Sequence, residues 1–440
     1  MLPAARLFDD LRARLDALGL PFRHLLVSDA LTLLALMVGQ VALPWWIASR
    51  GGARDLAVYS AATSAFAIVA MPLLSPLGDR LPKRRLIRTA LAVHSLGAIA
   101  MAALASAGAY RLGPLIALGA LPVLAAAVLQ PAVGSFVTEL VAPARLSPAI
   151  SLQQTAQSSG RMIGPALGGI VLGAAGVAAA LWLNAVLLAL ASLAARRLPH
   201  RDPPRQPRRA WAADLMVGMR ANWRIPIERG WILINFLSWI FLFPTFTMLV
   251  PLKVQSLGLS GVWLGLCEAS LSLGMLLGSL GGSTWLVRRC GRYATRVGAA
   301  VVQGLALALV GATHDPSWLV VGFAIAGLMS SAMLLVGLTH RMLARPLAYR
   351  ARMMAGAVAT TYVASTIGPA LAGLALLHFG IATVYVAFGL VGALAALGLA
   401  FVPGFRAFMA LDHVAVDDYY ARVYPQAFPA PVAPSRSFSS

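Results

Sequence analysis

The heptapeptide IGPALGG at residues 163–169 is repeated almost unchanged as IGPALAG at residues 367–373. The copies start 204 residues apart in a chain of 440 residues, so each half of the chain holds one. Both copies lie inside long apolar segments, and each places a proline in the interior of its segment. The repeat therefore predicts two similar halves with the same order of elements.

The segments around the repeat are predicted to span a membrane. Of all residues, 59% are hydrophobic and 11% are charged, whereas soluble domains carry roughly 25% charged residues. A spanning helix needs about 20 mostly apolar residues, and barrel strands would be shorter and alternating. Twelve runs fit helices: 25–48, 56–77, 89–110, 112–137, 146–172, 174–195, 230–252, 261–287, 297–313, 316–339, 353–377 and 380–403.

The formal net charge of +20 is a signal of membrane topology rather than of nucleic-acid binding. Lysines and arginines number 35, and nearly all fall in segments that would share one side of the membrane. The exceptions are Arg50, Arg54, Arg111, Arg161 and Lys253. Because cytoplasmic loops carry an excess of Lys and Arg, both termini are predicted to be cytoplasmic.

The repeat divides the chain into segments of different character. We predict an N-terminal interfacial segment (1–24), a six-helix bundle (25–195), a cytoplasmic linker (196–229), a second six-helix bundle (230–404) and a cytoplasmic tail (405–440). Six spans return the chain to its starting side, so the bundles form a parallel repeat. Within the linker, a stripe of apolar residues predicts a short helix, either on the membrane surface or packed under the bundles. The tail is predicted to be mostly disordered from Asp412 onward.

The turn between spans 2 and 3 reads SPLGDRLPKRRLI, residues 75–87. It places one acid, Asp79, at a helix end, with Arg80, Lys83 and Arg84 close by across a short turn. Ser75 and Pro82 flank this pattern. The second half has a related segment, LVRRCGRYATR at residues 286–296, in which the acid is missing.

Span 5 contains GRMIGPALGG, residues 160–169. Glycines at spacings of four remove side chains from one helix face, so a neighbouring helix can approach closely. A proline in the same turn breaks the backbone ladder and permits a bend. The residues in question are Gly160, Gly164, Pro165, Gly168 and Gly169.

Both motifs resemble signatures of the major facilitator superfamily of transporters. The turn is similar to the loop signature G-x-L-a-D-R-x-G-R-R, with Ser75 and Pro82 in place of two glycines, and span 5 matches the antiporter signature G-x-x-x-G-P-x-x-G-G. The resemblance covers the chain apart from its tails and favours the twelve-span exporters of drugs and siderophores. It implies that the Asp79 loop gates the inner side and that the glycine motif closes the outer side. Span 4 lacks the arginine that many proton-coupled drug exporters carry there.

Three charged residues fall inside predicted spans: Asp29, Arg161 and Glu268. Such charges are costly in a membrane, and by default they face a bundle interior or a water-filled cavity. Glu268 is predicted to carry a proton or to pair with a cationic cargo. Arg161 is predicted to be a fixed positive charge or an anchor for an anionic cargo. Asp29 has a coupling role or is an interfacial acid, and the sequence leaves these alternatives open.

The predicted fold is therefore an all-α membrane protein with twelve transmembrane helices in two parallel six-helix bundles. The predicted function is proton-coupled export of a small organic molecule, such as a drug or siderophore, across the inner membrane. The expected partners are the cargo, protons and the lipid bilayer. The protein is expected to be a monomer that is not an enzyme and that binds no cofactor, metal or nucleic acid. The alternatives are an importer or facilitator of the same fold, or a transporter-like sensor or lipid-handling protein.

Overall fold

The structure is a computed structural model, and it describes residues 18–74, 81–142, 145–199 and 211–428. These residues form helices joined by short turns. The long helices and the linker helices are α1 (Leu20–Leu74), α2 (Lys83–Ser106), α3 (Leu112–Leu140), α4 (Leu146–Ala195), α5 (Trp211–Arg224), α6 (Pro226–Thr247), α7 (Leu249–Ser256), α8 (Gly261–Leu277), α9 (Ser283–Ala312), α10 (Pro316–Ala344), α11 (Arg350–Leu376) and α12 (Ile381–Leu397). A π-helical turn, Gly278–Gly282, joins α8 to α9.

Within the described part of the chain, nine helices are long and apolar enough to cross a membrane. The prediction of an all-helical membrane protein is confirmed. The described residues contain nine such helices, whereas the sequence predicts twelve spans. Three of the nine run through two predicted spans each: Leu20–Ala70, Pro148–Ala195 and Gly261–Ala312. They contain 51, 48 and 52 residues, so each would be about 75 Å long if straight, against a hydrocarbon core of about 30 Å.

Glycines interrupt each of these three long helices near a predicted turn. Gly52 (φ 66°, ψ −162°) breaks α1, and Gly176 (φ 82°, ψ −179°) breaks α4. Gly281 (φ 145°) and Gly291 (φ 79°) break the α8–α9 run. These dihedrals are essentially restricted to glycine, because a Cβ atom would clash with the backbone. The helical dihedrals are therefore interrupted close to the positions where hydropathy predicts that one span ends and the next begins.

Helices of each half pack mainly with helices of the same half. In the first half α1 packs against α4 and α3, and α2 packs against α4 and α3. In the second half α9 packs against α10 and α12, α8 against α10, and α6 against α11 and α12. Two helix pairs make most of the contact between the halves, α4 with α8 and α1 with α11. Both pairs combine a helix that carries a copy of the IGPAL repeat with a helix of the other half.

The apolar core is arranged differently at the two ends of the helices. We call the end with Leu198 and helix α5 the linker end and the opposite end the distal end. At the distal end one core cluster joins both halves, with Trp46, Leu56 and Leu172 from the first half and Leu249 and Val384 from the second. At the linker end each half has its own cluster, one around Phe22 and Leu198 and one around Trp231 and Phe405.

The linker helix α5 packs against α11. The amide of Asn222 donates to the backbone carbonyl of Met353 (2.9 Å), and a Cβ atom on Gly218 would touch the backbone of Arg352. Of the two placements that the sequence left open, the structure has the helix packed under the second half, with Trp223 still exposed.

The C-terminal segment is more ordered than predicted. The short helices α13 (Phe405–Ala410), α14 (His413–Val416) and α15 (Tyr419–Val423) follow α12. Phe405, Phe408 and Tyr420 are buried, and the rings of Phe408 and Tyr420 stack at 5.5 Å. The backbone N–H of Asp418 donates to the carbonyl of Leu343. The prediction of disorder from Asp412 onward is therefore wrong for residues 412–428, because apolar and aromatic residues bury this segment against α10.

Candidate functional site

A cavity of about 920 Å³ lies between the two halves. The first half contributes polar side chains such as Gln40, Tyr59 and Thr63. The second half contributes aromatic side chains of α6, including Trp239 and Phe243. The cavity is thus built jointly, with a polar wall and an aromatic wall, as is typical of sites that orient a small organic ligand.

Two of the three predicted intramembrane charges line this cavity. Glu268 is half-buried on α8, and Arg161 is exposed on α4. Ser272, one turn beyond Glu268, donates to the backbone carbonyls of both Arg161 (2.8 Å) and Glu268 (3.1 Å). This hydroxyl therefore connects α8 to α4 beside both charges.

The third predicted charge, Asp29, is not among the described residues that line the cavity. One of its carboxylate oxygens accepts hydrogen bonds from the amides of Gln153 and Gln157, both at 2.9 Å. These glutamines lie on α4, so Asp29 fastens α1 to α4 within the first half.

The glycine motif of α4 faces two different helices. Cβ atoms built on Gly160, Gly164 and Gly168 would contact α1 between Leu33 and Val38. A Cβ atom on Gly169 would lie only 2.5 Å from the Cα atom of Gly265 on α8. Three glycines of the motif therefore contact a helix of the same half, and the fourth, Gly169, contacts a helix of the opposite half.

The second copy of the repeat is used in the same way. Gly368 on α11 meets the carbonyl of Ile240 on α6, the first long helix of its own half. Gly373 meets Ala57 on α1, which belongs to the other half. Each IGPAL segment thus packs against one helix of its own half and one helix of the opposite half.

Only part of the predicted inner gate can be placed. Asp79 and Arg80 lie outside the described residues. Lys83 forms an ion pair with Glu139 at the end of α3. Arg84 donates to the carbonyl of Arg196 at 3.4 Å. Both contacts are within the first half.

The structure also contains a buried ionic cluster that the sequence analysis missed. Glu228 is fully buried at the start of α6, and its carboxylate accepts hydrogen bonds from Arg341 (2.6 Å) and Arg345 (2.8 Å). Hydropathy placed Glu228 in the linker and the two arginines in a turn. A usable signal was the R-x-x-x-R spacing at the end of α10, which puts two guanidinium groups on one helix face.

Arg296 extends this cluster into the cavity. Its guanidinium lies 5.1 Å from the centre of the Trp231 ring, and that of Arg341 lies 4.9 Å from the same ring. Arg296, Trp231 and Arg341 all line the cavity. Hydropathy places Arg296 in the basic turn between spans 8 and 9, so its position in the cavity was not predicted.

The described residues contain no group of three or more His, Cys, Asp and Glu side chains that could hold a metal ion.

A cavity at the interface of two helical halves is typical of secondary transporters, which bind small molecules between their repeats. A comparison with protein families matches residues 25–339 to the Major Facilitator Superfamily. The chain belongs to this family. No match was found among curated proteins.

Three solved structures of similar fold are transporters of low sequence identity. A POT family transporter in complex with 5-aminolevulinic acid has a TM-score of 0.68 at 12% identity, covering 87% of this chain and 96% of its own. The nucleoside transporter NupG has a TM-score of 0.67 at 13% identity, covering 90% and 100%. A bacterial homologue of the iron transporter ferroportin, in an inward-facing state, has a TM-score of 0.67 at 15% identity. The match covers 89% of this chain and 98% of that one. These similarities establish the fold.

Proposed function

We propose that this protein is a secondary active transporter that exports a small organic molecule across the inner membrane in exchange for protons. The observation that carries the proposal is that Glu268 and Arg161, two charges within apolar helices, line one cavity between the halves. An intramembrane charge is retained where it has a function, and here both charges face the space that a cargo would occupy.

The proposed transport cycle is a rocking of the two halves around this cavity. The distal end is closed by the shared core cluster, and the linker end has a separate cluster in each half. Among the described residues, Lys83 and Arg84 make their contacts within the first half. The linker end is rich in arginine, so we assign it to the cytoplasm and the described arrangement to an inward-open state.

Twelve crossings with both termini in the cytoplasm are part of this proposal. Each of the three long helices would cross the membrane twice, reversing at its glycine breaks. Two arguments support this: helices of about 50 residues exceed the bilayer thickness, and the positive-φ glycines Gly52 and Gly176 lie at or within a few residues of predicted turns. The glycine motif of α4 then closes the extracytoplasmic end through Gly169.

In the proposed mechanism Glu268 takes up a proton and releases it on the opposite side. Arg161, on the facing half, provides a fixed positive charge that favours release of that proton. Asp29 supports α4 through its two glutamine partners and acts on coupling through the position of that helix.

The test starts with cargo discovery, followed by a flux assay. Cells that lack the gene are starved of iron, and small molecules inside and outside are compared by mass spectrometry. Compounds that accumulate inside are then added to everted membrane vesicles with an acidic interior. For an antiporter, addition of the cargo should dissipate the pH gradient, as reported by a pH-sensitive dye.

Glu268→Gln should abolish this proton flux, because an amide cannot exchange a proton near neutral pH. Asp315→Asn is the matched control, since Asp315 caps α10 outside the cavity. Cargo movement that is independent of the pH gradient would instead indicate a facilitator or importer. If no compound's flux differed between Glu268→Gln and the wild type, the result would favour a sensor or lipid-handling protein.

A further inference from the structure

Arg296 is a buried cation with unused hydrogen-bond donors. It lies on α9, is 5% exposed, and lines the cavity. Its Nη2 donates to Oδ1 of Asn235 at 2.8 Å, whereas Nε and Nη1 have no partner among the described residues. Buried donors of a guanidinium are normally satisfied, so these two atoms indicate a missing partner.

The surrounding charges do not supply this partner. Glu228 is the carboxylate of the cluster, and its oxygens are engaged by Arg341 and Arg345. No described carboxylate forms an ion pair with Arg296. A guanidinium stays charged in proteins, and a buried charge without a counter-ion is costly. Stacking on Trp231 compensates only part of this cost, so the cluster has an excess of positive charge beside the cavity.

An aromatic stripe leads away from this cation along one face of α6. Trp231, Asn235, Trp239 and Phe243 follow one another at a spacing of four residues and all line the cavity. Trp239 and Phe243 lie 5.8 Å apart, ring centre to ring centre. The cavity therefore offers a positive charge at one end and an apolar wall beyond it.

We propose that Arg296 binds the carboxylate or phosphate group of an organic anion whose apolar body lies along Trp239 and Phe243. The fixed positive charge and the free N–H donors select for an acceptor with negative charge. That this ligand is the cargo rests on the proposed transport function. Binding of the anion itself does not, and it is tested without any flux measurement.

The test uses five probes built on one ring: benzoate, phenyl phosphate, neutral benzamide, benzyl alcohol and cationic benzamidine. The purified full-length protein in neutral detergent is titrated with each probe at constant ionic strength. Tryptophan emission and thermal unfolding are recorded, because Trp231 stacks on Arg296. We expect at least one anion to bind and to stabilise the fold, with neutral and cationic probes at least about tenfold weaker.

Arg296→Gln should weaken anion binding by about tenfold or more, and Arg406→Gln is the matched control. Arg406 also lies over an aromatic ring, that of Tyr293, but it is exposed and outside the cavity. Should Arg296→Gln fail to fold, Asn235→Asp tests the same idea. It places a carboxylate against Arg296, so the free protein should become more heat-stable and lose its response to the anion.

Four results would overturn the inference. Three are binding of neither anion, equal binding of the neutral probes, and anion binding that persists in both Arg296→Gln and Asn235→Asp. The fourth is preferential binding of benzamidine that is lost in Glu268→Gln, since the cavity would then select cations. None of these outcomes decides whether the protein exports its cargo, so the transport proposal stands or falls separately in the vesicle assay.

Discussion

At the scale of single residues, the buried Glu228 compensates the charges of two arginines inside the second half. Its side chain is fully buried and is held by Arg341 and Arg345. Glu228→Gln keeps the shape but removes the negative charge that compensates both guanidinium groups. We expect the free energy of unfolding in detergent, measured by denaturant titration, to fall by about 3–5 kcal/mol.

Asp417→Asn is the matched control for Glu228→Gln. Asp417 pairs with Arg350 at 3.7 Å, but its side chain is 62% exposed, so water screens this pair. The control should change the free energy of unfolding by less than about 1 kcal/mol. An equal effect of both substitutions would mean that the Glu228 cluster is not buried as described.

Tyr110 at the distal end is expected to make stability depend on alkaline pH. Its hydroxyl donates to Oδ2 of Asp55 at 2.7 Å, and burial together with this carboxylate raises the pKa of Tyr110 well above its ordinary value. The folded state thus holds this proton more tightly than the unfolded state. The contribution is complete below about pH 10 and is lost as the pH rises through the higher folded pKa.

Tyr110→Phe should therefore lower the free energy of unfolding by about 1–3 kcal/mol at neutral pH and reduce its decline above pH 10. Tyr293→Phe serves as the control, because the Tyr293 hydroxyl forms no hydrogen bond with the described residues. Denaturant titrations at a series of pH values provide the measurement. A decline above pH 10 that is the same in Tyr110→Phe and in the wild type would contradict the assignment.

At the scale of helices, the closest approach between the halves depends on glycine in α4 and α8. Gly169→Ala would place a Cβ atom 2.5 Å from the Cα atom of Gly265, a distance that requires the helices to move apart. We expect a loss of about 1–3 kcal/mol in stability and faster thiol labelling of a Leu172→Cys reporter at the distal end.

Gly298→Ala is the matched control within the interior of α9. A Cβ atom on Gly298 would meet no atom within 4 Å. Alanine favours helix by up to about 1 kcal/mol over glycine, so this variant should be as stable as the wild type or more so. The two substitutions are thus expected to differ in sign. Destabilisation by both would show that general helix effects, rather than the α4–α8 contact, are being measured.

At the scale of the whole molecule, rocking of the halves predicts that a crosslink between them stops transport. Gly173→Cys with Val262→Cys joins α4 to α8, with about 3.4 Å between the Cβ positions. This separation suits a disulfide. In a background of Cys267→Ala and Cys290→Ser, oxidation should abolish flux in vesicles, and a reductant should restore it.

Gly97→Cys with Leu121→Cys is the matched crosslink within the first half, also with 3.4 Å between Cβ positions. It joins α2 to α3, which would move together as parts of one rigid half. Flux should persist after oxidation of this pair. Loss of flux in both crosslinked proteins would argue against rigid-body rocking, and persistence in both would argue against opening at the α4–α8 contact.

Much of the architecture was determined by the sequence alone. Hydropathy and length predicted that the apolar segments are helical. The reason is that the backbone of a membrane-spanning segment must form its hydrogen bonds within the segment. The repeat around Gly164 and Gly368 indicated two similar halves, and the family resemblance was carried by local motifs. Local composition also predicted the turns that became the breaks at Gly52 and Gly176.

Only the tertiary structure decided which charges meet. Glu228 is 113 residues from Arg341 in the chain, and its burial depends on how α6 packs beside α10. Arg296 has the sequence context of an ordinary basic turn, yet the fold turns it inward over Trp231. Hydropathy reports the average environment of a segment, whereas the partners of one side chain depend on the packing of distant helices. For this reason the cavity was predictable from sequence, and its excess of positive charge was not.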